Sequence, residues 1–115
     1  GVVYSEMEDW ANAANNLVLA TTFNEKDAMA WYRLAIAYNK LNECDHAEKA
    51  ARKSTDRKPS FGGGWIELGV ATWCGGKGNK IASVNALEKA RKDRTWRKIA
   101  EYEMDRIMNP QKYQN

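Results

Sequence analysis

The sequence is poor in the residues that build metal centres, catalytic triads and disulfide frameworks. Its 115 residues include only two cysteines, Cys44 and Cys74, which do not form a CxxC pair, and a single histidine, His46. We therefore predict two free thiols that pack in the interior. Cys44, Asp45 and His46 have no second cluster to complete a metal site, and one histidine does not suggest a Ser/His/Asp arrangement. No enzyme activity, cofactor or metal is predicted.

Long apolar runs and prolines are also scarce. No stretch approaches the roughly 18 apolar residues that cross a bilayer, so the sequence predicts no membrane span. Pro59 and Pro110 are the only prolines, and each ends a predicted helix, because proline lacks the amide hydrogen and disfavours helical backbone before it. No segment of the sequence identifies the cellular compartment in which the protein resides, and the cytoplasm is slightly favoured.

Charge is distributed unevenly, although the net charge of +3 is small. The N-terminal end is acidic, with one basic residue, Lys26, against Glu6, Glu8, Asp9, Glu25 and Asp27. From residue 86 onward the chain is basic, with five acids against Lys89, Arg91, Lys92, Arg94, Arg97, Lys98, Arg106 and Lys112. Opposite charges at the two ends favour head-to-tail contact between copies.

The most informative pattern is a recurrence at 34 residues. The aligned sets are Trp31 with Trp65, Leu34 with Leu68, and Gly1 with Ala35 and Gly69. A period of about 34 residues is typical of a helix-turn-helix unit that buries its apolar face only by stacking on copies of itself. Gly1 falls within a unit, so we expect the natural chain to begin upstream, with Val2, Val3, Trp10 and Leu17 left without their cover.

Helical spacing and capping residues predict the individual elements. Residues 1–23 are interpreted as the end of one helix, a turn near Glu8 and a second helix. Asp27 is expected to cap a helix over 28–41, and an amphipathic helix is predicted over 45–55. The last helix, about 95–108, has a single apolar stripe formed by Trp96, Ile99, Ala100, Met104 and Ile107.

Glycines mark two places in the third unit. Gly62, Gly63 and Gly64 are expected to let the first turn of their helix fray, since glycine weakens a helix interior. The stretch CGGKGNK does not match GxxxxGK[ST] and is interpreted as a two-residue insertion in a turn.

These positions resemble the tetratricopeptide repeat. The middle unit matches its pattern at Trp31, Leu34, Ala35, Tyr38, Ala47, Ala51, Ser54 and Pro59. The first unit matches at Gly1, Tyr4, Ala13, Leu17 and Ala20, and the third at Trp65, Leu68, Gly69, Ser83, Leu87 and Ala90. The resemblance implies an all-α, right-handed superhelical solenoid of antiparallel helix hairpins with a C-terminal capping helix, acting as a protein-interaction scaffold.

The resemblance also divides the chain. The array covers 1–108, with a partial repeat over 1–27, repeats over 28–61 and 62–95, and the capping helix over 96–108; a tail follows over 109–115. Some family members grip the acidic C-terminal tail of chaperones with two lysines, two asparagines and an arginine. This chain has Asn39 and Lys40 but Ile66, Glu67 and Val70 at the matching places, so that role is disfavoured.

On the family's pattern, a largely apolar concave groove would bind a partner peptide or helix. The predicted groove residues are Val2, Ser5, Met29, Tyr32, Ile36, Asn39, Lys40, Gly63, Ile66, Val70 and Trp73. Tyr32, Ile66 and Trp73 are expected to contribute most, and Gly63 to leave room for an incoming backbone. The competing interpretation is that neighbouring helices or upstream repeats bury several of these side chains.

A second hypothesis places nucleic acid or an acidic partner on the basic C-terminal face, where basic residues over 89–98 surround Trp96. Glu88 and Asp93 interrupt the positive charge, and a solvated helix face with Trp96 packed inward is the competing interpretation. Nucleic acid is therefore disfavoured relative to a protein partner.

Overall fold

The computed structural model describes the backbone of residues 2–113 and the side chains of residues 6–113. Six helices follow one another: α1 (Val2–Phe23), α2 (Ala28–Lys40), α3 (Cys44–Arg57), α4 (Gly62–Trp73), α5 (Lys80–Ala90) and α6 (Arg97–Met108). Short 3₁₀ turns cover Cys74–Gly76 and Pro110–Tyr113. Residues 2–113 contain no strand, which confirms the all-α prediction. No helix in this range has the length and apolar character needed to cross a membrane.

Each helix packs on the next one in the chain, and α2 also touches α4, which in turn touches α6. One core cluster centres on buried residues of α1 to α5, including Leu34, Ala35 and Leu68. A second joins α4, α5 and α6 through Ile66, Leu87 and Ala100. The predicted cap and helices of the middle unit are confirmed: the Asp27 carboxylate accepts hydrogen bonds from the Met29 and Ala30 amides of α2, and α3 covers the predicted 45–55.

The 34-residue recurrence is visible in matching contacts. The Trp31 indole Nε1 donates to the Glu25 carbonyl oxygen at 2.8 Å, and the Trp65 Nε1 donates to the Pro59 carbonyl oxygen at the same distance. Both acceptors lie six residues upstream of their tryptophan. The aligned tryptophans therefore have the same structural role, because each one bonds the start of its helix to the preceding turn.

The N-terminal end differs from the sequence-based expectation. The predicted turn near Glu8 is wrong, since α1 runs without interruption from Val2 to Phe23. This range contains neither glycine nor proline, so nothing in it interrupts the helical hydrogen bonding. Trp10 and Leu17, expected to lack cover, are half-buried against the first core cluster. Val2 and Val3 lie outside the residues whose side chains are described.

The glycines that open α4 do not fray, contrary to expectation. Gly62, Gly63 and Gly64 are helical and buried, and the Gly62 amide donates to the Asp93 carboxylate at 2.8 Å. A Cβ at Gly62 would lie 2.8 Å from the Trp96 Cβ, and one at Gly64 would lie 2.9 Å from the Ser54 Oγ. The three glycines therefore allow α3 and the start of α6 to approach α4 closely, and this packing offsets their weak helix propensity.

The cysteines also differ from the prediction of free thiols. Cys44 and Cys74 form a disulfide with their Cα atoms 5.7 Å apart, and it links residues 30 positions apart. Helices α3 and α4 run antiparallel, so the first residue of α3 meets the residue that follows α4. Closing a loop of this length stabilises a fold by about 3 to 4 kcal/mol in the chain-entropy account. The slight preference for the cytoplasm loses support, because disulfides persist mainly in oxidising compartments.

The buried glycines generate a stability prediction. Gly63→Leu should destabilise the fold by about 2 kcal/mol or more, because its Cβ would meet the Phe61 ring at 2.5 Å and the Trp96 ring at 3.0 Å. Urea unfolding followed by circular dichroism measures the change. Gly75→Asn is the control, since Gly75 has φ of 62° and no atom within 4 Å of an added Cβ, and asparagine tolerates this backbone. A Gly63→Leu protein as stable as the control would contradict the packing described for α4.

Candidate functional site

A concave surface lies where the last turn of α4, α5 and the inner edge of α6 face one another, bordered by the turns that follow α2 and α4. A cavity of about 360 Å³ opens there, and we call it the cleft. Its lining comprises Asn42, Val70, Trp73, Gly75, Leu87, Glu103, Arg106 and Ile107. A second depression adjoins it and shares Asn42, Val70 and Gly75 while adding Asn39, Cys44, Cys74 and Lys77. The cleft is therefore built by three helices and two turns.

The cleft has an apolar floor and a polar rim. Val70 and Trp73 are half-buried against the second core cluster, to which the cleft residues Leu87 and Ile107 belong. On the rim, the Arg106 guanidinium lies 3.3 Å from the Glu103 carboxylate, and half of the Arg106 side chain is exposed. The arrangement suits an apolar side chain inserted between groups that can hydrogen-bond to a backbone.

Glu67 ties α2 to α4 on the same concave side. The Asn39 side-chain amide donates to the Glu67 Oε1 at 2.9 Å and to the Glu67 carbonyl oxygen at 3.2 Å. Burial raises the pKa of the Glu67 carboxyl, and the nearby Glu103 raises it further, while the Asn39 hydrogen bond and Lys40 oppose the shift. The bond to Asn39 positions the end of α2, and with it the turn that carries Asn42, against α4.

Tyr32, predicted as a main contact for a partner, belongs to a packed aromatic cluster. Its ring lies edge-on to the rings of Phe61 and Trp96, with distances between ring centres of 4.9 Å and 6.1 Å. The Phe61 and Trp96 rings also lie edge-on to each other, with their centres 5.7 Å apart. Burial raises the pKa of the Tyr32 phenol, and so does the charge of Glu67. Rings at these separations touch one another and leave no room for a ligand between them. The cluster joins α2, the turn before α4 and the start of α6.

Two other predicted groove residues, Gly63 and Ile66, are covered by neighbouring side chains of the protein itself. The idea that Gly63 leaves room for a ligand backbone is wrong, because the Phe61 and Trp96 rings already cover it. Ile66 is 4% exposed and belongs to the second core cluster, so it cannot serve as a main contact. The competing interpretation, burial by neighbouring helices, holds for these two residues.

The remaining predicted groove residues divide between the cleft and its surroundings. Asn39, Val70 and Trp73 line the cleft or the adjoining depression. Met29 and Ile36 are half-buried on α2, and Lys40 is exposed beside Glu67. The side chains of Val2 and Ser5 lie outside the described residues.

The sequence does not predict the part of the cleft that α6 supplies. Its pattern indicates a capping helix that covers the core, and it assigns no role in the groove to Glu103, Arg106 or Ile107. The predicted stripe was also too wide, since Ile99 is 45% exposed. A usable signal was present: Glu103 and Arg106, spaced as an ion pair along a helix, flank the buried stripe that contains Ile107.

The basic C-terminal face has fewer free charges than its sequence suggests. Arg91 pairs with Glu88 and with Glu101, both at 3.2 Å. The Lys89 ammonium lies 4.6 Å from the centre of the Trp65 ring. Trp96, which a base would have to stack on, is half-buried in the aromatic cluster.

Among residues 6–113, no group of three His, Cys, Asp or Glu side chains is placed to hold a metal.

The half-buried Glu67 generates a pH prediction. Because the folded state raises its pKa above the ordinary value of 4.5, folding favours the protonated form, and the ionised form becomes unfavourable as the pH rises through the raised pKa. Glu67→Gln should therefore gain stability relative to the wild type as the pH rises to 7, and the difference should level off below about pH 4. Thermal unfolding across this range measures it. Glu8→Gln, which changes an exposed carboxylate on α1, is the control; a constant difference at all pH values would contradict the prediction.

Comparison with protein-family models, with curated proteins and with solved structures yields no match to this chain.

Proposed function

We propose that this chain is a tetratricopeptide-like interaction module that binds a segment of a partner protein in the cleft. The observation that carries the proposal is the cleft itself, where Val70, Trp73 and Ile107 form an apolar floor bordered by Asn42 and Arg106. Exposed apolar surface inside a concavity with a few polar groups is typical of binding sites. We propose binding rather than catalysis.

The finer fold assignment is part of this proposal. A right-handed superhelical array of the tetratricopeptide type is supported by the 34-residue recurrence and by the matching bonds of Trp31 and Trp65. It is also supported by the close contact of Gly69 with Leu87, where an added Cβ would lie 2.8 Å from the leucine Cγ. Small residues at such crossings let the two helices of a hairpin approach each other.

The chemistry of the cleft describes the partner segment. An apolar or aromatic side chain would contact Trp73 and Val70, since burial of such side chains supplies most of the energy of small interfaces. The exposed side chain of Asn42 can donate to or accept from the segment's backbone, and Arg106 can exchange part of its pairing with Glu103 for a backbone carbonyl. An extended peptide or the end of a helix fits these contacts.

A second candidate function uses the basic face at the C-terminal end. Lys92, Arg94 and Lys98 are exposed there, and no ion pair involves them in the described part of the chain. Nucleic acid or an acidic protein would bind through these charges, and its affinity would fall steeply and log-linearly with salt. Binding in the cleft depends on apolar burial and should change little with salt.

Peptide binding tests the cleft directly. A peptide selected from a displayed library against the folded protein should lose about thirtyfold in affinity with Trp73→Ala, since loss of an aromatic contact costs about 2 kcal/mol. Arg106→Ala should weaken binding by a smaller factor. Lys98→Glu, on the basic face, is the matched control and should leave binding nearly unchanged. Isothermal titration calorimetry at two salt concentrations measures all three variants.

The opposite pattern would overturn the proposal. If Lys98→Glu and added salt abolish binding while Trp73→Ala does not, the basic face is the site. Tyr32→Ala serves as a further check, because its ring packs within the aromatic cluster. Its effect should appear mainly in the stability of the protein, with peptide binding affected only as far as the fold loosens.

We also propose that copies of the chain associate head to tail. At the end of α1, Phe23 is 89% exposed, with Leu19 exposed beside it, and the neighbouring Glu25 and Asp27 are acidic. At the other end, α6 exposes Ile99, Tyr102 and Met108 together with basic Arg97 and Lys98. The apolar patch at one end of a copy can therefore bind the different patch at the other end of a second copy, because the charges around the two patches are opposite.

Sedimentation velocity tests this association. The apparent mass should rise with concentration at low salt, because the charges at the two ends then attract most strongly. Phe23→Ser should reduce the association, whereas Ile81→Ser, which changes an exposed residue of α5, is the control. A monomer at high concentration and low salt would rule out head-to-tail association.

A further inference from the structure

The disulfide between Cys44 and Cys74 lies at the edge of the cleft. Both cysteines are half-buried, and three surface depressions include both of them in their lining. One of these depressions shares Asn42, Val70 and Gly75 with the cleft. The disulfide therefore lies beside these surface depressions and borders the place where a partner segment is proposed to bind.

The disulfide joins two walls of the cleft. One wall is the turn before α3, where Asn42 has a φ of 60°. The other is the segment that follows α4, where Cys74, Gly75 and Gly76 have φ values of 49°, 62° and 97°. Three consecutive left-handed residues are not part of any continuing helix, so this segment depends on specific tethers to hold its position.

The other hydrogen bonds of this segment are local. The amides of Lys77, Gly78 and Asn79 donate to the carbonyl oxygens of Cys74, Trp73 and Thr72. Among the described residues, no hydrogen bond or ion pair joins residues 74–79 to the turn at 41–43. In the part of the chain that the structure describes, the disulfide is thus the one direct bond between these two walls, while the Asn39–Glu67 hydrogen bonds join α2 to α4.

We propose that the Cys44–Cys74 disulfide is a redox-controlled latch that holds the cleft in its binding shape. The control of partner binding rests on the proposed function, whereas the control of the cleft wall does not. The reductant is a dithiol, either a small molecule or a protein with a reactive cysteine pair. One of its thiolates attacks one sulfur of the disulfide and forms a mixed disulfide, and its second thiolate then displaces the chain's cysteine. Two electrons and two protons reach the chain, which gains two thiols, and the reductant leaves as a disulfide.

Reduction is expected to loosen the cleft without unfolding the chain. Both core clusters consist of residues other than the two cysteines, so the packing of the six helices remains in place. The segment over 74–79 gains freedom, and Trp73, the last residue of α4, loses a fixed neighbour. A partner segment would then have to order this wall on binding, which lowers its affinity.

Hydrogen exchange measured by mass spectrometry tests the latch without any partner. The oxidised protein is compared with the protein in dithiothreitol and with the double variant Cys44→Ser/Cys74→Ser. At short labelling times, amides over 72–79 should exchange about tenfold faster in the reduced protein and in the variant, while amides over 30–37 in α2, which open only with the whole fold, should remain unexchanged. The variant itself should not respond to dithiothreitol. Equal exchange over 72–79 in the oxidised and reduced proteins would overturn the latch, and so would loss of protection in every helix at the same short labelling times, since the bond would then hold the fold as a whole.

The peptide selected for the cleft supplies the second measurement. Its affinity should fall about fivefold or more on reduction, and it should be low and insensitive to dithiothreitol in the double variant. Faster exchange with unchanged affinity would show that the bond does not control binding. If the selection yields no peptide for the oxidised protein, the proposed function fails, and the exchange comparison alone decides whether the bond controls the cleft wall.

Discussion

The close approach of α4 to its neighbours is the constraint on which the rest of the structure depends. Four of the twelve residues of α4 are glycines, all of them buried. Those at its start contact Trp96, Phe61 and Ser54, and Gly69 contacts Leu87. Any side chain at these positions would push α3, α5 or the start of α6 outward. The last turn of α4, with Val70 and Trp73, then lies beside α5 and α6, and the cleft forms between these helices and the turn that carries Asn42.

Much of the fold was predictable because it is local and periodic. The helices of the middle unit follow from apolar spacing and from the capping carboxylate of Asp27, which acts within its own turn. The 34-residue recurrence correctly paired Trp31 with Trp65, and the structure shows why: each indole bonds to a carbonyl in the turn before its helix. Such features depend on neighbours in sequence and leave a clear pattern.

The candidate site was predictable only in part, because it depends on contacts between distant residues. The Trp96 ring, just before α6, covers both Gly63 and Tyr32. Both coverings arise from tertiary packing and leave no local pattern. The disulfide was missed for a related reason: Cys44 and Cys74 are 30 residues apart, and only the antiparallel arrangement of α3 and α4 brings them together. The sequence also does not predict that Arg106 lines the cleft, because the pattern of α6 indicates only a helix that covers the core.

The most direct test of the account is to map the surface that a bound peptide touches. Amide chemical shifts from nuclear magnetic resonance, recorded while a library-selected peptide is added to the oxidised protein, report this surface residue by residue. The account predicts that the shifts concentrate in residues 39–42, 70–75 and 103–107, which surround the cleft. Shifts concentrated instead in residues 89–98 would contradict it and would identify the basic face as the binding surface.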